Sequence, residues 1–235
     1  MQFVKKHPAE SHCSLVAHLW QVAITSRSGY PVSFLQVVDG VLYAIINDDN
    51  EQSGDTRSYL AAFNISTGAQ IWKTASFAGD GLSSFTVANH VMYFGLLHTA
   101  AEKSFTGEVF AYDLQSHKQL WSQHVNGGIQ QALVVTNGMV YVAGDGGNTF
   151  PAEAVALNAT TGAITWQKHL DSPMTDGFCV SNGVVYVGNY KTATEDKTVD
   201  GMYALNTATG KQVWKDTAGG SPQFIIPTTD PGIKC

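Results

Sequence analysis

Residues 156–166 read Ala156-Leu157-Asn158-Ala159-Thr160-Thr161-Gly162-Ala163-Ile164-Thr165-Trp166. An apolar pair leads into a run of turn formers, and a second segment ends on an indole. A glycine closing such a run supplies the left-handed backbone that a tight turn needs. The stretch therefore reads as the end of one strand, a turn and the start of its antiparallel partner. It recurs. Ala204-Leu205-Asn206-Thr207-Ala208-Thr209-Gly210 leads into Gln212-Val213-Trp214, and Ala62-Phe63-Asn64-Ile65-Ser66-Thr67-Gly68 leads into Gln70-Ile71-Trp72. A fourth copy, Ala111-Tyr112-Asp113-Leu114-Gln115-Ser116-His117 before Trp121, puts His117 where the others have glycine.

A second landmark lies upstream of each copy. Val38-Asp39-Gly40-Val41-Leu42-Tyr43 matches Ala88-Asn89-His90-Val91-Met92-Tyr93, Thr136-Asn137-Gly138-Met139-Val140-Tyr141 and Ser181-Asn182-Gly183-Val184-Val185-Tyr186. Asn-Gly or Asp-Gly between apolar runs marks a two-residue hairpin turn, because both central residues take positive φ. The turn precedes its tryptophan by 28 to 32 residues in all four units. Trp20, Trp72, Trp121, Trp166 and Trp214 are spaced by 52, 49, 45 and 48 residues, close to the roughly 40–50 of a propeller blade.

Each unit thus reads as four antiparallel strands, A to D. In the third, A lies near Ile129–Val135, B near Met139–Ala143 and C near Ala154–Leu157, while D carries Trp166. No segment shows helical periodicity. A twisted four-stranded sheet cannot bury both faces alone, so it must stack on its neighbours. A recurrent indole would cover much of that interface, and its N–H needs a fixed partner. The tryptophans and the strand-B tyrosines are read as docking residues. The expected fold is all-β: a β-propeller of four-stranded antiparallel blades, about four complete blades plus flanking partial strands, in a single domain spanning 1–235. The blades fall at about 32–76, 83–125, 129–170 and 177–217, with a partial outer strand at 15–25 and a partial inner strand at 221–228.

Composition fits this reading. Of the 235 residues 44% are hydrophobic and only 14% charged, and 23 are glycine, as suits many strands and turns. The net charge of −6 comes without a dense Lys/Arg run, which argues against a nucleic-acid partner or a polybasic membrane patch. No apolar stretch is long enough to span a bilayer as a helix. Met1 to Glu10 carries two lysines but no apolar segment after them, so it does not read as a signal peptide. Cys13, Cys179 and Cys235 lack metal-ligand spacing. Cys179, between Phe178 and Val180, reads as a small buried hydrophobe.

The string Ala-(Leu/Phe/Tyr)-(Asn/Asp)-x-x-Thr-Gly-x-x-x-Trp resembles the tryptophan-docking motif of the PQQ-like (quinoprotein-type) β-propeller repeat family. The likeness runs from the strand holding Trp20 to Trp214, partial in the second unit and nearly absent before Trp20. The family typically closes rings of about seven or eight blades. The resemblance therefore implies a fragment of a larger propeller, or an arc completed by a second copy. It also implies an extracytoplasmic setting in bacteria, periplasmic or cell-surface.

Three functions are open at this point. The first is a non-catalytic binding or scaffold module, engaging protein partners or self-associating through open propeller ends. Such family members include barrel-assembly lipoproteins of the outer membrane and sensor domains of bacterial kinases. The alternative is a fragment of a PQQ-dependent alcohol or glucose dehydrogenase, in which the quinone and Ca²⁺ sit at the propeller centre. Alcohol dehydrogenases of that kind often stack the quinone on a disulfide of adjacent cysteines, a pair this sequence lacks. The third is a purely structural repeat within a larger assembly.

No catalytic, cofactor or metal residue is assigned. Asp49, Glu51, Ser53 and Gly54 have EF-hand-like spacing, but Leu60 stands where the closing glutamate belongs. Gly144-Asp145-Gly146-Gly147-Asn148 lacks the Lys-Ser/Thr and helix start of a phosphate cradle. Asn64-Ile65-Ser66 and Asn158-Ala159-Thr160 match glycosylation triplets but sit in the repeat's turn, and His90 and His117 occupy turn positions. Antiparallel order places the A–B and C–D turns at one end of the propeller and the B–C loops at the other. Those loops, Asn47–Arg57, His98–Thr106, Gly144–Pro151 and Asn189–Asp200, differ in every unit. Recognition is expected there.

Overall fold

The computed structural model describes residues 21, 24, 32–48, 57–78, 81–99, 105–129, 133–147, 151–190 and 201–217. Four antiparallel sheets follow one another along the chain. The first is β1 (Val32–Val38), β2 (Val41–Asn47), β3 (Arg57–Asn64) and β4 (Gln70–Lys73), with β5 (Phe77–Ala78) extending the outer strand along β3. The second is β6 (Gly81–Ala88), β7 (Val91–Thr99), β8 (Phe105–Asp113) and β9 (Lys118–Asn126). In the third, the inner strand is in two pieces, β10 (Gly128–Ile129) and β11 (Val134–Thr136), both paired to β12 (Met139–Asp145). β13 (Glu153–Asn158) and β14 (Ile164–His169) complete that sheet. The fourth is β15 (Met174–Ser181), β16 (Val184–Tyr190), β17 (Gly201–Asn206) and β18 (Gln212–Asp216). The expected strand at 221–228 lies outside the described residues. So does the one at 15–25, apart from Gln21 and Ile24, neither of which is in a strand.

The two turn readings translate directly into backbone angles. The A–B turns have paired positive φ at Asp39/Gly40, Asn89/His90, Asn137/Gly138 and Asn182/Gly183, as a type I′ hairpin demands. The C–D turns put a positive φ at Gly68, His117, Gly162 and Gly210. Their leading Asn caps the turn: Asn158 Oδ1 accepts the N–H of Thr160 and of Thr161, each at 2.9 Å. Asn64 and Asn206 repeat this. In the second sheet Asp113 takes the same place, accepting from Ser116 and Gln115, and those bonds hold its carboxyl below the ordinary pKa.

Register explains the rest of the motif. In every sheet the strand-B tyrosine, the motif alanine and the tryptophan lie in one row: Tyr43–Ala62–Trp72, Tyr93–Ala111–Trp121, Tyr141–Ala156–Trp166 and Tyr186–Ala204–Trp214. The alanine methyl is small enough for the two rings to meet above it, with centroids 6.0 to 6.1 Å apart in all four. A register shift follows at each alanine, so the residue before the tryptophan is extra. This β-bulge recurs in all four sheets. It leaves Ile71, Leu120 and Val213 exposed on the outer strands.

The cores lie between sheets. One joins Tyr43, Ile45 and Leu60 to Phe85, Phe94 and Phe110. A second joins Val109 and Val125 to Val142, Val155 and Leu157, and a third joins Tyr141 and Trp166 to Val187, Tyr203 and Leu205. Ile24 packs on the far face of the first sheet, against Ala44, Ile46, Ala61 and Phe63. Trp72, Trp121 and Trp166 each reach across to the next sheet's C–D turn. Trp121 Nε1 donates to Ala159 O at 3.0 Å and Trp166 Nε1 to Thr207 O at 2.7 Å. The receiving glycines lie under the rings: a Cβ at Gly162 would sit 2.7 Å from Trp121, and one at Gly210 2.6 Å from Trp166.

His117 breaks this pattern and compensates for it. Its ring lies 5.0 Å from Trp72, which also stacks on Tyr112 at 5.8 Å. Trp72 makes no carbonyl bond of the Trp121 type among the described residues. The turn position read from sequence is therefore also an interface contact.

Gly162 and Gly138 have nearly equal φ, 74° and 73°, but a Cβ at Gly138 meets nothing within 4 Å. Alanine at either site bears the left-handed cost of about 1–2 kcal/mol. Only Gly162→Ala also lifts Trp121 from its seat, so it should lose a further ~1–3 kcal/mol by urea unfolding, with altered tryptophan emission. Equal losses at the two sites would show that the indole moves without cost.

Candidate functional site

Antiparallel pairing leaves each sheet with a turn end and a loop end. At the turn end the polar groups are spent on caps, repeated four times. At the loop end each sheet differs. Residues 49–56, 100–104, 148–150 and 191–200 of the B–C loops lie outside the described set, and with them Asp49, Glu51, Ser53 and Gly54. Leu60 is fully buried in β3.

The glycine-rich segment after β12 is structural. Asp145, 3% exposed, ties the third sheet to the fourth: its Oδ1 accepts both the N–H and the hydroxyl of Thr175 at 2.7 Å. Gly146 N–H donates to Pro173 O at 2.7 Å. The same two sheets are joined by an ion pair of Lys215 with Asp171. Lys215 also lies over the Tyr203 ring, whose hydroxyl accepts the Asp171 N–H. The Lys215 hydrogen bond holds the Asp171 carboxyl below its ordinary pKa. Cys179 is buried in β15 opposite Tyr186. With no second cysteine adjacent, it does not supply the disulfide platform of the quinone alternative.

Between the second and third sheets a cleft of about 300 Å³ runs from the loop end, at Thr106, Asn126 and Glu153, along β14 to Ile164 beside the C–D turn. Val125 and Val155 form its apolar side and Ile164 its rim; Thr106, His124, Asn126 and Gln167 supply polar edges. Its floor holds Glu153, 1% exposed. Strand alternation places Glu153, Val155 and Leu157 on one face of β13, and the two apolar residues belong to the core against the second sheet. A carboxylate has thus been set on a core face. His169, its cross-strand partner in β14, brings Nδ1 to 3.0 Å from Glu153 Oε1. That approach is off the axis of a hydrogen bond, and neither carboxylate oxygen has a well-aligned donor. Burial pushes the Glu153 pKa up, while His169 and the Asn126 amide draw it partway back.

The cleft therefore holds one buried carboxylate among side chains that can both donate and accept, Thr106, His124, Asn126 and Gln167, none of them aligned on it. Among the described residues no three His, Cys, Asp or Glu side chains gather as a metal site. Sequence reasoning passed over Glu153. The available signal was its parity with Val155 and Leu157: an ionisable residue in phase with core positions.

Comparison with known proteins agrees with this architecture. A family model described as outer membrane protein assembly factor BamB matches residues 56–175 and 106–233. BamB from Moraxella catarrhalis is similar with a TM-score of 0.57 at 16% identity, over 88% of this chain and 58% of that one. The computationally designed Ika4 protein gives 0.52 at 11% identity, over 80% and 98%. The β-propeller domain of the trilobed protease from Pyrococcus furiosus gives 0.50 at 8%, over 78% and 57%. At such identities the likeness shows the fold. The chain spans 58% of the length of the BamB it matches. No curated protein sequence matches it. Among the described residues no helix is long and apolar enough to cross a membrane.

The raised pKa of Glu153 has a signed consequence. The folded state keeps a proton that the unfolded chain has lost, so stability falls as pH rises from the ordinary value of 4.5 through the raised one. Glu153→Gln removes this dependence. The variant should be more stable than the parent at neutral pH, with the gap closing toward pH 4.5. Urea midpoints across pH measure it; a parent that gains stability relative to the variant with rising pH would show that the fold favours the charged carboxylate.

Proposed function

The chain belongs to the family of outer membrane protein assembly factor BamB, and from that premise we propose that it acts as a non-catalytic scaffold that binds protein partners at its loop end. The carrying observation is how polar groups are distributed. At the turn end the same Asn, Thr and Gly positions cap the same turns in the first, third and fourth sheets, with Asp113 in that role in the second. At the loop end the sheets diverge, and there the cleft holds Glu153, Thr106 and Asn126 before running along β14 toward Ile164. A rigid stack with varied loops on one side suits recognition. The printed name of the family ties BamB itself to outer-membrane protein assembly; for this chain a role of that class is our reading.

Photo-crosslinking in cells that make the protein tests it. A photoreactive residue at exposed Thr99 or Thr106 should give protein adducts, and one at Ser66 or Thr160 should not; adducts from the turn end alone would overturn the assignment. Adding PQQ and Ca²⁺ should leave dye-linked alcohol or glucose oxidation at background. Turnover above background would make the quinone alternative correct.

A further inference from the structure

We propose that the cleft between the second and third sheets is a socket for an arginine side chain carried by a protein partner, with Glu153 as its counter-charge. This deepens the scaffold reading and rests on it. A carboxylate removed from water is costly unless it is paired and hydrogen-bonded. Glu153 is 1% exposed, and neither oxygen has a well-aligned donor. Both lack what a guanidinium offers, a planar fork of N–H donors that engages two carboxylate oxygens at once.

The surroundings favour that head group over other cations. Neither Lys nor Arg lines the cleft, and the resident group within reach of the carboxylate is the His169 imidazole, Nδ1 at 3.0 Å. A metal ion would want more anionic or imidazole ligands than one carboxylate, and the described residues gather no such set. Val125, Val155 and Ile164 give a methylene stem apolar walls to lie on. His124 and His169 are the titratable groups at the edge. The His169 side chain is 63% exposed, so it can turn outward as a guanidinium enters.

The cleft also fits a tethered side chain better than a free ligand. Small-molecule sites tend to enclose most of their ligand, whereas this one, at about 300 Å³, is partly open to the surface. Buried arginines are frequent anchors of protein interfaces. The chain's net charge of −6 also draws a basic partner toward it.

The test titrates the full chain with the peptide acetyl-Gly-Arg-Gly-amide, followed by amide resonances of Asn126, Glu153 and Gln167. Saturable binding is expected. It should weaken at least tenfold for the citrulline peptide, a neutral isostere, and at least tenfold in Glu153→Gln. Ile164→Trp, a substitution at the exposed rim, should block the cleft and abolish binding while near-UV dichroism reports an intact stack. The socket is ruled out by no saturable binding, by equal affinity for citrulline, or by an unchanged affinity in Glu153→Gln. Binding of free agmatine with exclusion of the peptide would overturn the partner-borne source. If crosslinks at Thr99 and Thr106 form but the peptide does not bind, only the socket fails. If the peptide binds and no loop-end crosslink forms, the scaffold reading fails instead.

Discussion

Each sheet here must be covered on both faces, and the contact that does this is an indole laid on the neighbouring sheet's turn. The row of tyrosine, alanine and tryptophan across strands B, C and D makes that contact possible. The alanine leaves room for two rings to meet, and the bulge beside it advances the outer strand by one residue. The tryptophan can then reach over to the next turn, where a glycine without a Cβ lets it lie flat and a carbonyl accepts its N–H. Between the first and second sheets, where His117 stands for the glycine, ring contacts of Trp72 with His117 and Tyr112 serve instead, and burial between sheets supplies the main driving force for stacking. Trp214, 41% exposed, shows the same side chain without a described turn to cover.

Much of this was legible because the chain says it four times. The Asn-Gly and Thr-Gly landmarks imply specific backbone angles, and the angles are those observed. The tryptophan spacing gave the blade period, and the need to satisfy an indole N–H anticipated the carbonyl bonds. The bulge was not legible: Ile71, Leu120 and Val213 look like ordinary strand residues, and only the pairing register shows that each is extra. His117 was read as a turn residue alone. Its tilted ring contact with Trp72 joins residues 45 apart in the chain, which local pattern does not encode.

The candidate site was the least legible part, for a physical reason. Motif reasoning looks for several chemical groups at set spacings. The cleft instead brings β8, β9, β13 and β14 together across two sheets, so its members have no common spacing. The one local signal was a glutamate in phase with valine and leucine. The loop that drew attention on sequence, Asn47–Arg57, has its acidic run outside the described residues, while the glycine-rich segment at Asp145 proved to be a clamp between sheets.

A repeat protein carries its own control, since each unit shows what a position does when it is purely structural. Departures from the repeat can then be sorted by whether the fold answers them. His117 in place of glycine is answered by Trp72 and Tyr112. Asp113 in place of asparagine is answered by the same two backbone N–H groups. Asp145 is answered by Thr175. The position of Glu153 is Tyr59 in the first unit, Glu108 in the second and Gly201 in the fourth. Glu108 also faces a histidine across the outer strand, His124, but only half-buried, whereas Glu153 is fully buried and its oxygens lack aligned donors. A fully buried carboxylate whose burial is only partly offset by His169 and Asn126 costs stability, and selection for folding alone would tend to remove it. Its persistence on a core-facing position, under an open cleft at the divergent end of the stack, is the reason to seek its partner outside the chain.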